Sequence, residues 1–269
     1  MTKPKHALPV RVGIGGWVFE PWRGSFYPDK LVQSRELEYA SRHVTSIEVN
    51  GTFYGTQKPA SFARWHDETP EDFVFSLKGP RFATNRRVLA EAGPSIDKFL
   101  ASGIAELKNK LGPINWQFPP TKKFDSDDFA AFLALLPAEY AGRPLRHAVE
   151  VRHESFAVPG FIDLLRRHGV AAVVADKDGV PHLHDVTAPF VYVRLQAARE
   201  DRKLGYAPAD LDAWAERARA WAGGQAPADL PCLAPPANMS GGREVFVYLI
   251  NGFKPKAPAA AMALIERLS

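Results

Sequence analysis

Cysteine is almost absent: Cys232 stands alone in 269 residues, so no intramolecular disulfide can form, which fits a reducing compartment. Its surroundings are proline-rich and hold no basic or histidine neighbour to lower a thiol pKa, so no nucleophile is expected there. Long apolar runs are missing too. No stretch approaches the roughly 20 apolar residues of a membrane span, and Met1–Pro9 carries Lys3 and Lys5 without an apolar segment before a cleavage site. A cytoplasmic protein that does not enter membranes is therefore expected. No Walker A motif, Gly-x-Ser-x-Gly elbow or His-Glu-x-x-His occurs. Gly13-x-Gly15-Gly16 falls short of a dinucleotide fingerprint because Val18 takes the third glycine position. The net charge of +4 and pI near 9.1 leave too small a basic excess for a continuous phosphate-binding stripe.

What is present is an alternation of two periodicities. Short β-branched or aromatic runs recur at Arg11–Gly15, Ser46–Val49, Phe73–Lys78, Ile114–Phe118, His147–Arg152, Ala171–Asp176, Phe190–Leu195 and Val245–Leu249. Between most of them lie helix-period stripes. Ile96, Phe99, Leu100, Gly103, Ile104, Leu107 and Leu111 form one; Phe129, Phe132, Leu133 and Leu136 repeat it behind the acidic start Asp125–Asp128. Leu211, Trp214, Ala215, Ala218 and Trp221 give another, as do Ala261, Leu264, Ile265 and Leu268, while Pro59 suits the first turn of a helix carrying Phe62 and Trp65. Eight βα units close most naturally into a single-domain (β/α)₈ TIM-type barrel over residues 10–269, behind a flexible tail at 1–9. The sixth unit is irregular, since no amphipathic helix separates Asp176 from Phe190. Residues 223–243 read as an exposed Pro/Gly/Ala-rich loop.

Alternation along each strand then sorts side chains by face. Placing the uniformly apolar set toward the helices sends Ile47 and Val49 outward, and Glu48 and Asn50 inward. Ser76 and Lys78, Asn115 and Gln117, Glu150 and Arg152, and Tyr192, Arg194 and Gln196 follow on later strands, with Asp176 ending the sixth. Barrel interiors are normally filled with branched aliphatics, and a buried unpaired charge is costly. Three acids (Glu48, Glu150, Asp176) and three bases (Lys78, Arg152, Arg194) late in their strands therefore form either a self-neutralising plug or a site for a polar ligand. Active sites of this fold sit at that end of the barrel.

The same residues resemble a known family. Gly15-Gly16-Trp17, Trp22-Arg23-Gly24 and Phe26-Tyr27-Pro28 resemble the opening of the YecE-like proteins, domain-of-unknown-function family 72. Glu48-Val49-Asn50 with Thr52-Phe53-Tyr54, Lys78-Gly79-Pro80, Trp116-Gln117-Phe118-Pro119-Pro120, Glu150-Val151-Arg152-His153, Ala175-Asp176 and Tyr192-Val193-Arg194-Leu195 continue it in order. The resemblance implies a TIM barrel and no established activity. The chain departs from the family pattern at Gln196-Ala197, Ile250-Asn251 and Asn85, so roles tied to those family positions do not carry over.

Several chemistries compete for the inward set. A glycosidase needs two opposed carboxylates, but Glu48 and Glu150 lie on strands two and five, whereas the large clan of barrel glycosidases uses four and seven, here Gln117 and Arg194. A metal would draw on Glu48, Glu150, His153 and Asp176, with His182 and His184 in the loop beyond, but Lys78, Arg152 and Arg194 repel a cation; no metal ligand is assigned and no cofactor is identified. Lys78 forms a Schiff base if cationic neighbours lower its pKa, or stays protonated if paired with Glu48 or Glu150. The expected site has Glu48, Lys78, Glu150 and Asp176 as catalytic groups, and Trp17, Asn50, Tyr54, Gln117, Arg152, His153 and Arg194 as contacts to a small anionic or polyhydroxy substrate. The competing class is a nucleic-acid-binding or repair-type protein resembling endonuclease IV in architecture. It would stack bases on Trp17, Phe19, Trp22, Phe26, Tyr27, Phe53 and Tyr54 beside Arg23, Lys78, Arg81, Arg86 and Arg87.

Overall fold

A computed structural model describes residues 10–236 and 241–269; the expected tail at 1–9 and part of the expected 223–243 loop lie outside the described residues. Eight parallel strands close into a barrel in chain order: Val10–Gly15, Ser46–Val49, Val74–Lys78, Leu111–Gln117, His147–Glu150, Ala171–Ala175, Phe190–Leu195 and Glu244–Leu249. All eight expected strands are there. The fifth ends two residues early, at Glu150, which moves Arg152 into the loop that follows. Ala175 ends the sixth strand, so Asp176 begins its loop. No helix intervenes between Ala175 and Phe190, as the sequence pattern predicts.

The alternation of side chains produces two apolar bodies. Ile47, Val49, Leu77, Trp116, Val149 and Val193 point outward, into a large core shared with the helices. Val74, Ala148, Val173, Phe190, Tyr192, Phe246 and Tyr248 form a second cluster inside the barrel. Helices Pro59–Glu68, Pro159–His168 and Pro208–Ala222 each begin on a proline whose fixed φ suits the first turn. Asp125 caps Ser126–Ala134 by accepting from the backbone N–H groups of Asp127 and Asp128, as its acidic start predicts.

One expected helix is broken. The apolar stripe from Ile96 to Leu111 reads as continuous, yet the α-helix stops at Leu100. Gly103 follows in a left-handed conformation (φ 107°), and a tighter 3-10 stretch at Ile104–Lys110 contains Lys108 far from helical angles. The cause is a close approach: a Cβ on Gly103 would lie 2.6 Å from Cα of Pro59, at the start of the neighbouring helix. Ile104 and Leu107 still reach the core, so the apolar pattern survives the change of geometry.

The first strand is thin where it faces inward. Gly13 pairs with Ser46, and a Cβ there would stand 2.0 Å from the Ser46 carbonyl oxygen. Gly13→Ala is expected to force the first two strands apart, lowering unfolding stability by about 1–3 kcal/mol. Urea titration tests this, and an unchanged midpoint would show that the strands yield freely. At the N-terminal end of the barrel, Glu244 pairs with Arg146 and lies 3.5 Å from Arg11 Nε, and Arg146 sits over Phe246.

Candidate functional site

The mouth of the barrel is organised around Arg194, which is 1% exposed on the seventh strand. Its Nε and Nη2 donate to the two oxygens of Glu48 at 3.0 and 2.9 Å. Its Nη1 donates to Glu150 Oε2 and, at 3.3 Å, to Gln117 Oε1. Tyr192, two residues earlier and thus on the same face, donates its hydroxyl to Glu48 Oε2 at 2.7 Å. Glu150 Oε1 accepts a fork from Arg152 at 3.1 and 2.8 Å, while Asn115 approaches Oε2 at 3.4 Å. All four carboxylate oxygens are therefore engaged by protein donors.

Lys78 stands at the edge of this network. Its Nζ donates to Gln117 Oε1 at 2.6 Å and lies 4.3 Å from the centre of the Phe53 ring. Among the described residues no carboxylate oxygen comes within 4.0 Å of it, so neither expected ion pair, to Glu48 or to Glu150, is formed as a contact. A hydrogen bond from Thr52 Oγ1 to the Lys78 carbonyl, 2.8 Å long, ties the end of the third strand to the short helical turn Gly51–Tyr54 that carries Phe53. Deeper in the barrel, Ser76 Oγ lies 2.7 Å from Tyr192 Oη, and Ser46 Oγ 2.8 Å from Tyr248 Oη, a polar layer under the charged one.

These contacts pull the two ends of the network in opposite directions. Burial pushes Lys78 down to about 8, reinforced by the positive charge of Arg194 and only partly opposed by Glu48 and Glu150. Burial alone would raise Glu150, but Arg194, Arg152 and Lys78 outweigh it and hold the carboxyl at about 2. Arg194 is itself desolvated, yet its two carboxylate partners raise its pKa further. At neutral pH Glu150 is a poor proton acceptor, and Lys78 is the group poised to change charge.

The remaining expected residues scatter around this centre. Asn50 is half-buried; its amide reaches the Glu48 carbonyl at 3.5 Å and closes over Gly15. His153 turns its Nδ1 to Ser155, where it caps a short turn. Tyr54 is 64% exposed, with Arg81 5.9 Å from its ring. Trp17 packs edge-on against Trp65 at 5.1 Å, so it belongs to the helical layer. Asp176 has a separate setting. Its carboxylate accepts from the backbone N–H groups of Gln196 and Ala197 and from Tyr206 Oη at 2.8 Å, and it lines a cavity of 390 Å³ with Arg199, Arg202 and Arg217. Burial raises its pKa despite these donors.

The stacking wall is smaller than the sequence predicts: Trp22 and Tyr27 are buried at 2% exposure or less, and Phe26 is buried too. Beside the mouth a groove of about 810 Å³ is lined by Thr52, Thr56, Arg81, Phe82, Arg86 and Lys98 among others, with no acid in its lining. Of the two loop histidines, His184 is buried and bonds the Pro231 carbonyl, while His182 is exposed. Among the described residues no group of three His, Cys, Asp or Glu side chains converges to hold a metal, and no helix is long and apolar enough to cross a membrane.

Sequence pattern missed Phe53 as a partner of Lys78, because it lies on a helical turn after the second strand, where strand alternation says nothing. Tyr192 was visible as inward-facing, but its bond to Glu48 depends on the register between distant strands.

Comparison with known proteins agrees with this architecture. The chain is 30% identical over 175 residues to the UPF0759 protein YecE of Escherichia coli K12, a match covering 62% of this chain and 59% of that protein. It thus spans less than two thirds of that relative's length. It is 27% identical over 205 residues to the UPF0759 protein YunF of Bacillus subtilis, covering 72% and 68% of the two chains. The crystal structure of a DUF72 family protein from Thermotoga maritima superposes with a TM-score of 0.72 at 24% identity, over 96% of this chain and 98% of that one, which speaks to the fold. The model described as "Protein of unknown function DUF72" matches residues 11–269, and the chain belongs to that family.

Proposed function

We propose that this protein is an enzyme acting on a small anionic or polyhydroxy substrate at the C-terminal mouth of its barrel. Lys78 is the observation that carries this reading. It is a 5% exposed cation with no carboxylate within 4.0 Å among the described residues, set beside two guanidiniums whose charges are already matched by Glu48 and Glu150. With Lys78 protonated the five groups total one positive charge, a field that favours an anion. Gln117, which bonds Lys78, and Arg152, which bonds Glu150, are both half-buried and supply polar contacts for hydroxyl or acidic groups. In this reading Glu48 and Glu150 hold Arg194 and shape the field, while Asp176 orders the segment after the seventh strand. Calorimetric titration with inorganic phosphate, glycolate and ribose 5-phosphate tests it. Lys78→Met is expected to weaken binding by about tenfold or more, the equivalent of about 1.4 kcal/mol. Equal affinity in wild type and variant would sink the assignment.

A second reading, a nucleic-acid binder, rests on the groove beside the mouth, where exposed Tyr54 and Phe82 flank Arg81. Base stacking on such faces tolerates any sequence, and phosphate binding to Arg81, Arg86 and Lys98 falls as salt rises. Fluorescence anisotropy with a single-stranded oligonucleotide should then show affinity dropping steeply between 50 and about 200 mM salt. Absence of binding at the low-salt end removes this reading.

A further inference from the structure

Lys78 differs from an ordinary buried lysine in what surrounds its nitrogen. We propose that Lys78 is a covalent nucleophile whose Nζ condenses with the carbonyl carbon of a small polyhydroxy or anionic aldehyde or ketone to give a protonated imine. This rests on the mouth binding a small polar substrate, and narrows that substrate to a carbonyl compound.

A lysine locked against a carboxylate stays an ammonium and has no lone pair to offer. Here the carboxylates nearby are taken by Arg194 and Arg152, and among the described residues Nζ makes one hydrogen bond, to the Gln117 amide oxygen at 2.6 Å. That oxygen accepts an N–H from either protonation state, so it positions the amine without demanding that it be charged. Arg194, which donates to the same amide oxygen at 3.3 Å, raises the cost of a second cation there. The Phe53 ring, 4.3 Å from Nζ, shields one side from water and favours a cation on its face, ammonium or iminium alike. Burial and Arg194 together bring deprotonation within reach near pH 8.

The step balances without a further reactant. The Nζ lone pair bonds the carbonyl carbon, and the C=O π pair moves to oxygen, which takes the proton that nitrogen releases. That hydroxyl leaves as water with one proton from solvent as the nitrogen lone pair closes the C=N bond. The iminium has the same charge as the ammonium it replaces, so Glu48 and Glu150 favour both alike.

The full chain is incubated with glyoxylate, glyceraldehyde or dihydroxyacetone phosphate and sodium cyanoborohydride, and adducts are located by peptide mass spectrometry. The adduct on the Lys78 peptide is expected to form at least about tenfold faster than on an exposed lysine, because burial and Arg194 bring Lys78 down to about 8 from an ordinary 10.5. Its rate should rise to half-maximum near pH 8. Lys78→Arg keeps the cation and removes the nucleophile; it should lose this adduct while surface lysines are labelled as in the wild type. Labelling of surface lysines with Lys78 spared overturns the imine, even when phosphate still binds at the mouth. Failure of phosphate, glycolate and ribose 5-phosphate all to bind the wild type overturns the underlying substrate reading instead.

Discussion

Replacing Arg194 with methionine is expected to lower unfolding stability by about 3–5 kcal/mol, the range for removing one partner of a buried ion pair. The cause is what remains. Glu48 is 0% exposed and Glu150 4%, and without Arg194 the first keeps, among the described residues, the Tyr192 hydroxyl alone, while the second keeps Arg152 and a long contact from Asn115. Two desolvated carboxylates then face each other across the mouth. Adding Glu48→Gln and Glu150→Gln to the methionine variant removes those charges and should restore most of the loss, since apolar or neutral replacement of a whole buried network is often tolerated. The measurement is the urea midpoint at constant m value, near pH 7. A loss below about 1 kcal/mol, the scale of an exposed ion pair, would contradict a buried network. The acid limb adds a check. Glu150 sits at about 2 against an ordinary 4.5, so its stabilising contribution is complete above pH 4.5 and disappears as pH falls toward 2. In the methionine variant the largest force lowering that pKa is gone, and acid unfolding should begin at higher pH.

Much of this mouth is legible in the amino-acid sequence. Strand period 2 is rigid, so once Ile47 and Val49 are assigned to the helices, Glu48 has to point inward, and the same logic carries Lys78, Glu150 and Arg194 to one end. Which acid meets which base was not readable, because that depends on the barrel's register and on side-chain reach. Three acids and three bases permit many pairings; the fold joins Arg194 to two acids, gives Arg152 to one, and leaves Lys78 with a neutral amide. Asp176 shows where alternation fails. One residue past its strand, its direction is set by the loop, and it turns to the amides of Gln196 and Ala197. The helix expected through Gly103 failed for a similar reason: periodicity records which residues are apolar, and the nearness of Pro59 is a tertiary fact.

Lys78→Met should make the protein more stable at neutral pH, and this separates a site from a plug. A lysine whose pKa falls from 10.5 to about 8 on folding is one whose charged form the native state disfavours. The 1.36 kcal/mol carried by each pH unit makes the penalty on the order of 3 kcal/mol when Lys78 is protonated in both states. Between about pH 8 and 10.5 the unfolded chain binds the extra proton, so wild-type stability attributable to this group rises with pH across that window. Methionine has similar length, no charge, and can lie against Phe53. Its one deficit is the Gln117 oxygen, which keeps its contact from Arg194. The variant is therefore expected to exceed the wild type by up to roughly 3 kcal/mol near pH 7, with the gap closing as pH approaches 10.5. Urea unfolding at pH 7, 8.5 and 10 measures the gap directly. A destabilised variant, with a gap independent of pH, would mean that Lys78 is a structural cation held by the mouth's two carboxylates. A stabilised one would mean that the fold carries a destabilising buried charge at the end of the barrel where enzymes of this fold place their active sites, as the proposed binding role of Lys78 requires.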